Sequence, residues 1–131
     1  MITAVMRYKK GTLIIELPHG IYDLYGKMRS IGISDPPQKI RLTDNEEDDI
    51  GIKLYSEDDF DRQLLLLFSE QDTLADVNLL MMTLYDRSAE LRERVRRQIT
   101  DGKCNSIDDI YAEIKRSIDE TADVALSMDS M

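Results

Sequence analysis

The fold is organised around the stretch Asp44-Asn-Glu-Glu-Asp-Asp-Ile-Gly-Ile-Lys-Leu-Tyr-Ser-Glu-Asp-Asp-Phe-Asp61. Nine carboxylates and one base, Lys53, give it a net charge of −8, against −9 for the whole chain. Residues 39–43 and 50–55 alternate between apolar and polar side chains, the period of two that is typical of strands. This pattern predicts an acidic β-hairpin. Its carboxylates form a tip and a second group after the hairpin: Asp44, Glu46, Glu47, Asp48 and Asp49, then Glu57, Asp58, Asp59 and Asp61.

The residues after the hairpin change to helical spacing. Ser56-Glu-Asp-Asp59 has the form of a capping box and predicts a helix over 57–68, although 64–68 also fits a buried strand. A second capping box, Thr73-Leu-Ala-Asp76, predicts the longest helix, which ends at Asp101-Gly102. Its apolar side chains form one seam of about five turns. The seam consists of Val77, Met81, Leu84, Ser88, Leu91 and Val95, and a last helix after Ser106 turns Ile107, Ile110, Ile114 and Ile118 inward.

The residues before the hairpin predict two further strands and a helix. Residues 2–8 alternate, Lys9-Lys10-Gly11 is a turn that uses the conformational freedom of glycine, and 12–17 forms the returning strand. Residues 21–31 have helical spacing and end at Gly32. We therefore expect an α+β fold with a small antiparallel sheet of three to four strands, followed by two or three helices, one of them long. Residues 1–121 form one domain, and residues 122–131 form a frayed tail.

The composition indicates a protein whose partners are basic. A pI near 4.6 argues against affinity for nucleic acid or for anionic membranes. No apolar run approaches the length of a bilayer span, and the amino-terminal residues lack the plan of a secretory signal. The single cysteine, Cys104, cannot form an internal disulfide and is expected to be a free surface thiol. A cytoplasmic location is expected.

The acidic tip could also be a calcium loop or hold a catalytic pair. Asp44, Glu46 and Asp48 fit the first, third and fifth positions of an EF-hand, but Asp49 replaces its glycine and Tyr55 its bidentate acid. A general acid and base need carboxylates in different environments, whereas these acids share one polar run. The sole histidine, His19, lies between a proline and a glycine, where a turn or helix-cap role is expected. We expect no enzyme activity, no metal and no cofactor.

A basic cluster on the long helix is the alternative partner-binding surface. It consists of Arg87, Arg92, Arg94, Arg96 and Arg97. Arginines at this density could bind phosphates, but Glu90 with Arg94 and Glu93 with Arg97 are favourable pairs four residues apart. We therefore favour a solvated or partner-facing side. In this alternative the chain is a small adaptor or regulatory protein, whose long helix pairs with a helix of its partner.

Three segments resemble ArdA-type antirestriction proteins. They are Leu17-Pro-His-Gly-Ile-Tyr-Asp-Leu-Tyr-Gly-Lys-Met-Arg-Ser-Ile-Gly-Ile33, Ile40-Arg-Leu-Thr-Asp44 and Asp72-Thr-Leu-Ala-Asp-Val-Asn-Leu-Leu80. The resemblance covers residues 17–85, and the family's Tyr- and Gly-rich amino-terminal segment is not found. It implies a dimeric DNA mimic of a mobile genetic element, a homodimer whose carboxylates occupy the DNA groove of a type I restriction–modification enzyme. The nine acids of the hairpin region would then form the contact surface, without direct binding of nucleic acid.

Overall fold

Three strands form an antiparallel sheet in which the first strand is central. The computed structural model describes residues 1–44 and 49–129, without the side chains of 121–129. Strand β1 is Ile2–Tyr8, β2 is Gly11–Leu17 and β3 is Ile50–Tyr55, and their order in the sheet is β2-β1-β3. The helices are α1 (Ile21–Ser30), α2 (Asp59–Leu65), α3 (Leu74–Tyr85), α4 (Ala89–Thr100) and α5 (Ile107–Asp129). The predicted α+β fold with a small antiparallel sheet is confirmed.

The β1–β2 hairpin closes through a two-residue turn. Tyr8 pairs with Gly11, so Lys9 and Lys10 alone form the turn. The positive φ belongs to Lys9, at 51°, and not to Gly11 as the sequence predicts. Gly11 is needed for a close approach instead, because a Cβ there would lie 3.3 Å from the Cβ of Ile31.

Helix α1 ends in a Schellman motif at Gly32, the residue that the sequence predicts as its end. The N–H of Ile33 donates to the carbonyl of Met28 at 3.1 Å, and the N–H of Gly32 donates to the carbonyl of Arg29 at 3.0 Å. Gly32 has a φ of 99°, which only glycine adopts without strain. The motif turns the chain sharply, so that Ile33 is buried in the core.

The segment predicted as the first strand of the acidic hairpin is not a strand of the sheet. Pro37–Lys39 forms a 3₁₀ turn, and Arg41 makes an isolated bridge with Thr73. The N–H of Leu74 donates to the carbonyl of Ile40 at 2.8 Å, so the start of α3 takes up this backbone. The predicted hairpin is therefore wrong, because the backbone C=O group of Ile40 and the N–H group of Leu42 bond to residues 72–74.

One backbone hydrogen bond connects this segment to the sheet. The N–H of Ile52 in β3 donates to the carbonyl of Thr43 at 2.8 Å. Asp44 follows directly, and Asp49 precedes β3. The predicted tip acids Glu46, Glu47 and Asp48 lie outside the described residues.

Helix α2 begins later than its sequence predicts. The capping residue is Asp58, whose carboxylate accepts from the N–H of Asp61 at 3.1 Å. Ser56 lies before the cap: its hydroxyl donates to the carbonyl of Met1 and accepts from the N–H of Asp58, not from a residue of the helix. The helix ends at Leu65, so residues 64–68 are neither wholly helical nor a strand. The second box is confirmed, since Thr73 and Asp76 cap each other's N–H groups.

The longest predicted helix is two helices. Helix α3 ends at Tyr85 and α4 begins at Ala89, with Ser88 as its N-cap. The Ser88 hydroxyl accepts from the N–H of Leu91 at 3.3 Å, and this bond requires a non-helical backbone at residue 88. The one polar member of the predicted seam is thus where the helix breaks.

Helix α5 packs its first three isoleucines into the core. Ile107, Ile110 and Ile114 are buried, whereas Ile118 is 41% exposed, contrary to expectation. The helical backbone continues through residues 122–129, where fraying stays a prediction about motion. None of the helices in the described part of the chain is long and apolar enough to cross a membrane.

Asn78 on α3 holds the turn that follows β2. Its side chain accepts from the N–H of His19 at 2.8 Å and donates to the carbonyl of the same residue at 2.8 Å. Asn78 is 1% exposed. If its side chain were truncated, the N–H and C=O groups of His19 would both lose their part-buried partner.

We expect Asn78→Ala to lower the free energy of unfolding by about 2–4 kcal/mol, because two part-buried backbone groups would be left without a partner. Urea denaturation of the purified variant measures the loss. Leu79→Ala is the matched control, since Leu79 is the next residue on the helix and is 58% exposed. Equal losses for the two variants would contradict the role assigned to Asn78.

Candidate functional site

The acidic residues that the structure describes lie in two groups, one at each end of β3. Asp44 and Asp49 are near its first residue, and Glu57, Asp58 and Asp59 follow its last residue. Six residues of strand span roughly 20 Å. The two described tip acids, Asp44 and Asp49, therefore do not merge with the start of α2 into the single patch that their closeness in sequence suggests.

The first group is partly neutralised. Asp44 lies 3.5 Å from the guanidinium of Arg7 and 3.3 Å from the ammonium of Lys53, and its side chain is only 27% exposed. Asp49 is exposed and has no cation within 4 Å among the described residues. Of the described tip acids, Asp49 thus presents the uncompensated charge.

The second group borders an open depression at the end of the sheet. Glu57 and Asp58 line it together with Glu16 of β2, and its volume is about 770 Å³. No salt bridge involves any of these three carboxylates in the part of the chain that the structure describes. The depression is also lined by Met1, Thr3, Tyr55 and Ser56.

Glu16 is an acidic residue that the sequence reasoning missed. It is opposite Thr3 in the ladder, and Thr3 is opposite Tyr55, so the three residues cross the sheet in one row. The signal was available in the alternation of β2, which turns Leu13, Ile15 and Leu17 inward and Glu16 outward.

Asp61 is not part of an acidic surface. It is fully buried, and its carboxylate lies 2.6 Å from the ammonium of Met1. The hydroxyl of Tyr85 donates to the same carboxylate, at 2.8 Å from both oxygens. Burial, and then this hydrogen bond, raise the pKa of Tyr85. Asp61 therefore joins β1, α2 and α3, and the expectation that it contacts a partner is wrong.

The arginines of α4 bind acidic and carbonyl groups of the same molecule. Arg94 does not pair with Glu90 as predicted, because its guanidinium donates to Glu113 at 2.5 Å and to Glu120 at 2.7 Å on α5. Glu113 is almost fully buried and also accepts from Arg116 at 2.5 Å. This network fastens α4 to α5.

Three of the remaining arginines have local partners, whereas Arg87 is exposed and makes no ion pair in the part of the chain that the structure describes. Arg96 donates to Glu93 and lowers the pKa of that carboxyl, and Arg97 lies 3.6 Å from Glu93, which agrees with the predicted pair. Arg92 donates to the carbonyls of Leu84 and Arg87 and lies over the ring of Tyr85. Three of the five arginines of the basic cluster, Arg94, Arg96 and Arg97, are therefore paired with carboxylates of the same molecule.

The apolar seam that motivated the adaptor alternative is covered by the molecule's own core. Its five apolar members have exposures of 0–6%, and its exposed member is Ser88. A partner helix would find no apolar stripe along it. The members that are buried are Val77, Met81, Leu84, Leu91 and Val95.

His19 and Cys104 are both held by neighbouring groups. The ring of His19 contacts the carboxylate of Asp23 and lies 3.3 Å from the ammonium of Lys27, and hydrogen bonds from these two groups lower the pKa of Asp23. The N-cap of α1 is Gly20, one residue after His19. Cys104 is buried and not a surface thiol, and this burial raises its pKa.

The described residues contain no group of three or more histidine, cysteine, aspartate or glutamate side chains that could hold a metal ion. Comparison with known proteins found no matching family model, no matching curated protein and no matching solved structure. The candidate site is therefore defined by its charge and exposure: Asp49 at one end of β3, and Glu16, Glu57, Asp58 and Asp59 at the other.

Proposed function

We propose that this chain is a non-enzymatic, cytoplasmic DNA mimic that binds the basic DNA-binding groove of a type I restriction–modification enzyme. One observation carries the proposal. The exposed carboxylates at the two ends of β3 include four, Glu16, Asp49, Glu57 and Asp58, that no described cation compensates. Such a surface is electrostatically complementary to basic side chains of another molecule.

The spacing of the two groups supports contact over more than one phosphate. Duplex DNA carries about one charge per 1.7 Å of axis, so the roughly 20 Å length of β3 corresponds to about a dozen phosphates. Lys53 lies between the two groups and is 61% exposed at its side chain. The mimic surface is therefore two acidic patches separated by a base, and it would engage two clusters of lysine and arginine in the groove.

The resemblance to ArdA-type proteins supplies the class of target, and the charge of the surface supplies the mode of binding. Occupying a groove requires no nucleophile, metal or cofactor. It requires carboxylates that stay ionised and accessible, as exposed aspartate and glutamate do at neutral pH. Because the chain itself is acidic, it repels DNA, and its partner is the protein that holds the DNA.

A competition experiment tests the proposal. Increasing amounts of the protein are added to a type I restriction–modification enzyme bound to a fluorescent duplex, and the anisotropy of the duplex is followed. We expect displacement of the DNA and inhibition of its cleavage. Unchanged anisotropy at a large excess of the protein would contradict the proposal, and a DNA-only sample tests whether the protein binds the duplex directly.

The same assay at increasing salt gives a second expected result. Association of an acidic surface with a basic groove is steered by charge, which is screened beyond a Debye length of about 8 Å at physiological ionic strength. Binding of the protein to the enzyme should weaken steeply as salt rises, mainly through a lower association rate in stopped-flow measurements. An affinity that does not depend on salt would indicate an apolar contact instead.

A further inference from the structure

Strand β2 is an open edge of the sheet. Because Tyr8 and Gly11 close a two-residue turn, hydrogen-bonded and non-hydrogen-bonded pairs alternate along the β1–β2 ladder from that point. Thr12, Ile14 and Glu16 fall in the non-hydrogen-bonded pairs, so their N–H and C=O groups point away from β1. No backbone hydrogen bond reaches them from elsewhere in the described chain.

The same alternation is verified at the other edge. It predicts that the N–H of Ile52 points away from β1, and this group indeed donates to the carbonyl of Thr43. The β3 edge is therefore occupied at Ile52. Within residues 1–44 and 49–129 the β2 edge has no such neighbour, and its central residue, Ile14, is 67% exposed.

The ends of β2 carry opposite charges. Lys9 and Lys10 precede the strand, and Glu16 is near its end, with Glu57 and Asp58 around the adjoining depression. In the described part of the chain, no ion pair compensates Lys10 or Glu16. A strand that is basic at one end and acidic at the other is complementary to an antiparallel copy of itself.

We propose that β2 pairs with β2 of a second copy, antiparallel and with Ile14 on the two-fold axis, so that the two sheets become one. Ile14 then exchanges two hydrogen bonds with its equivalent, and Thr12 exchanges two with Glu16 of the partner. This register uses the whole strand, since its centre is the midpoint of Gly11–Leu17. It also places Lys10, two residues before Thr12, diagonally across from the partner's Glu16. The pairing does not require that the acidic surface binds an enzyme.

The contact is small, as transient interfaces are, so covalent trapping is the appropriate test. In a Cys104→Ala background, Ile14→Cys places two thiols on the axis, where Cα atoms of a hydrogen-bonded pair lie about 5.5 Å apart, within the range of disulfides. The matched control is Tyr22→Cys, because Tyr22 is 92% exposed on α1. In a glutathione redox buffer we expect Ile14→Cys to form a disulfide dimer at least about tenfold faster than the control, through the higher effective concentration of its thiols.

A mixture of single-cysteine variants tests the register. Thr12→Cys and Glu16→Cys should form a disulfide with each other and not with themselves, because identical positions lie roughly 14 Å apart in the proposed pairing. Equal rates for Ile14→Cys and Tyr22→Cys, or the absence of the mixed dimer, would overturn the proposal.

Sedimentation at high protein concentration gives a test without cysteines. Lys10→Glu and Glu16→Lys should each reduce self-association, and the double variant should restore it, because opposite charges again lie diagonally across the two strands. Both positions are exposed, so the variants keep the fold. Failure of the double variant to restore association would also overturn the proposed register.

Discussion

Reversal of three exposed carboxylates around β3 should abolish the displacement of DNA from the restriction enzyme. The variant combines Asp49→Lys, Glu57→Lys and Asp59→Lys, and it keeps Asp58 because that residue caps α2. Placing like charges across an interface costs several kcal/mol, so we expect the affinity to fall roughly a thousandfold or more. The anisotropy competition assay measures the change.

The control separates the position of the charges from their number. Asp35, Glu70 and Asp101 are exposed acids outside the acidic stretch, and their reversal to lysine changes the net charge by the same amount. We expect this control to lose affinity far less than the β3 variant does. If both variants bind equally, net charge alone determines binding and the β3 surface has no special role. Unchanged urea midpoints would show that both variants are folded.

Asp61→Ala should be among the most destabilising single substitutions in this chain. It leaves the ammonium of Met1 and the hydroxyl of Tyr85 without their shared acceptor. The Asp61 carboxylate is fully buried, but the Met1 ammonium is about half exposed, so we expect a loss of about 2–4 kcal/mol, below that typical of a wholly buried ion pair. Urea denaturation followed by circular dichroism measures the loss.

Asp59→Ala is the matched control for Asp61→Ala. Asp59 is two residues away on the same helix, and its pair with Arg62 is exposed, with 89% of the Asp59 side chain accessible. Exposed ion pairs contribute little to stability, so the control should unfold at nearly the wild-type urea concentration. If Asp59→Ala lowered the free energy of unfolding as much as Asp61→Ala, the contacts of Asp61 with Met1 and Tyr85 would not be the cause.

Local patterns predict much of the fold correctly. The alternation of residues 2–8 and 12–17 and the glycine after α1 each determine a structure within a few residues of themselves, through the pleat and the positive φ. The Thr73 capping box succeeds for the same reason, since both of its hydrogen bonds join neighbours. Such features can be predicted because the interacting residues are neighbours in the chain.

The predictions that failed depend on residues far away in the chain. Residues 39–43 have a strand pattern, but their backbone partners belong to 72–74 and not to β3 alone. Asp61 belongs by composition to an acidic run, yet Met1 and Tyr85 provide the groups that make its burial favourable. Helical periodicity also continues across Ser88, because a period cannot show that a serine caps a new helix.

The interruption at Ser88 also sets the dimensions of the molecule. A straight helix from Leu74 to Thr100 would be roughly 40 Å long at 1.5 Å per residue. A compact chain of 131 residues has a radius of gyration of about 14 Å, so a 40 Å rod would exceed twice that radius, and the apolar seam, which is buried along α3 and α4, would be exposed at its ends. Two shorter rods of roughly 18 Å each are shorter than twice that radius, about 28 Å. The break at Ser88 thus keeps each helix short enough to pack along a domain of this size.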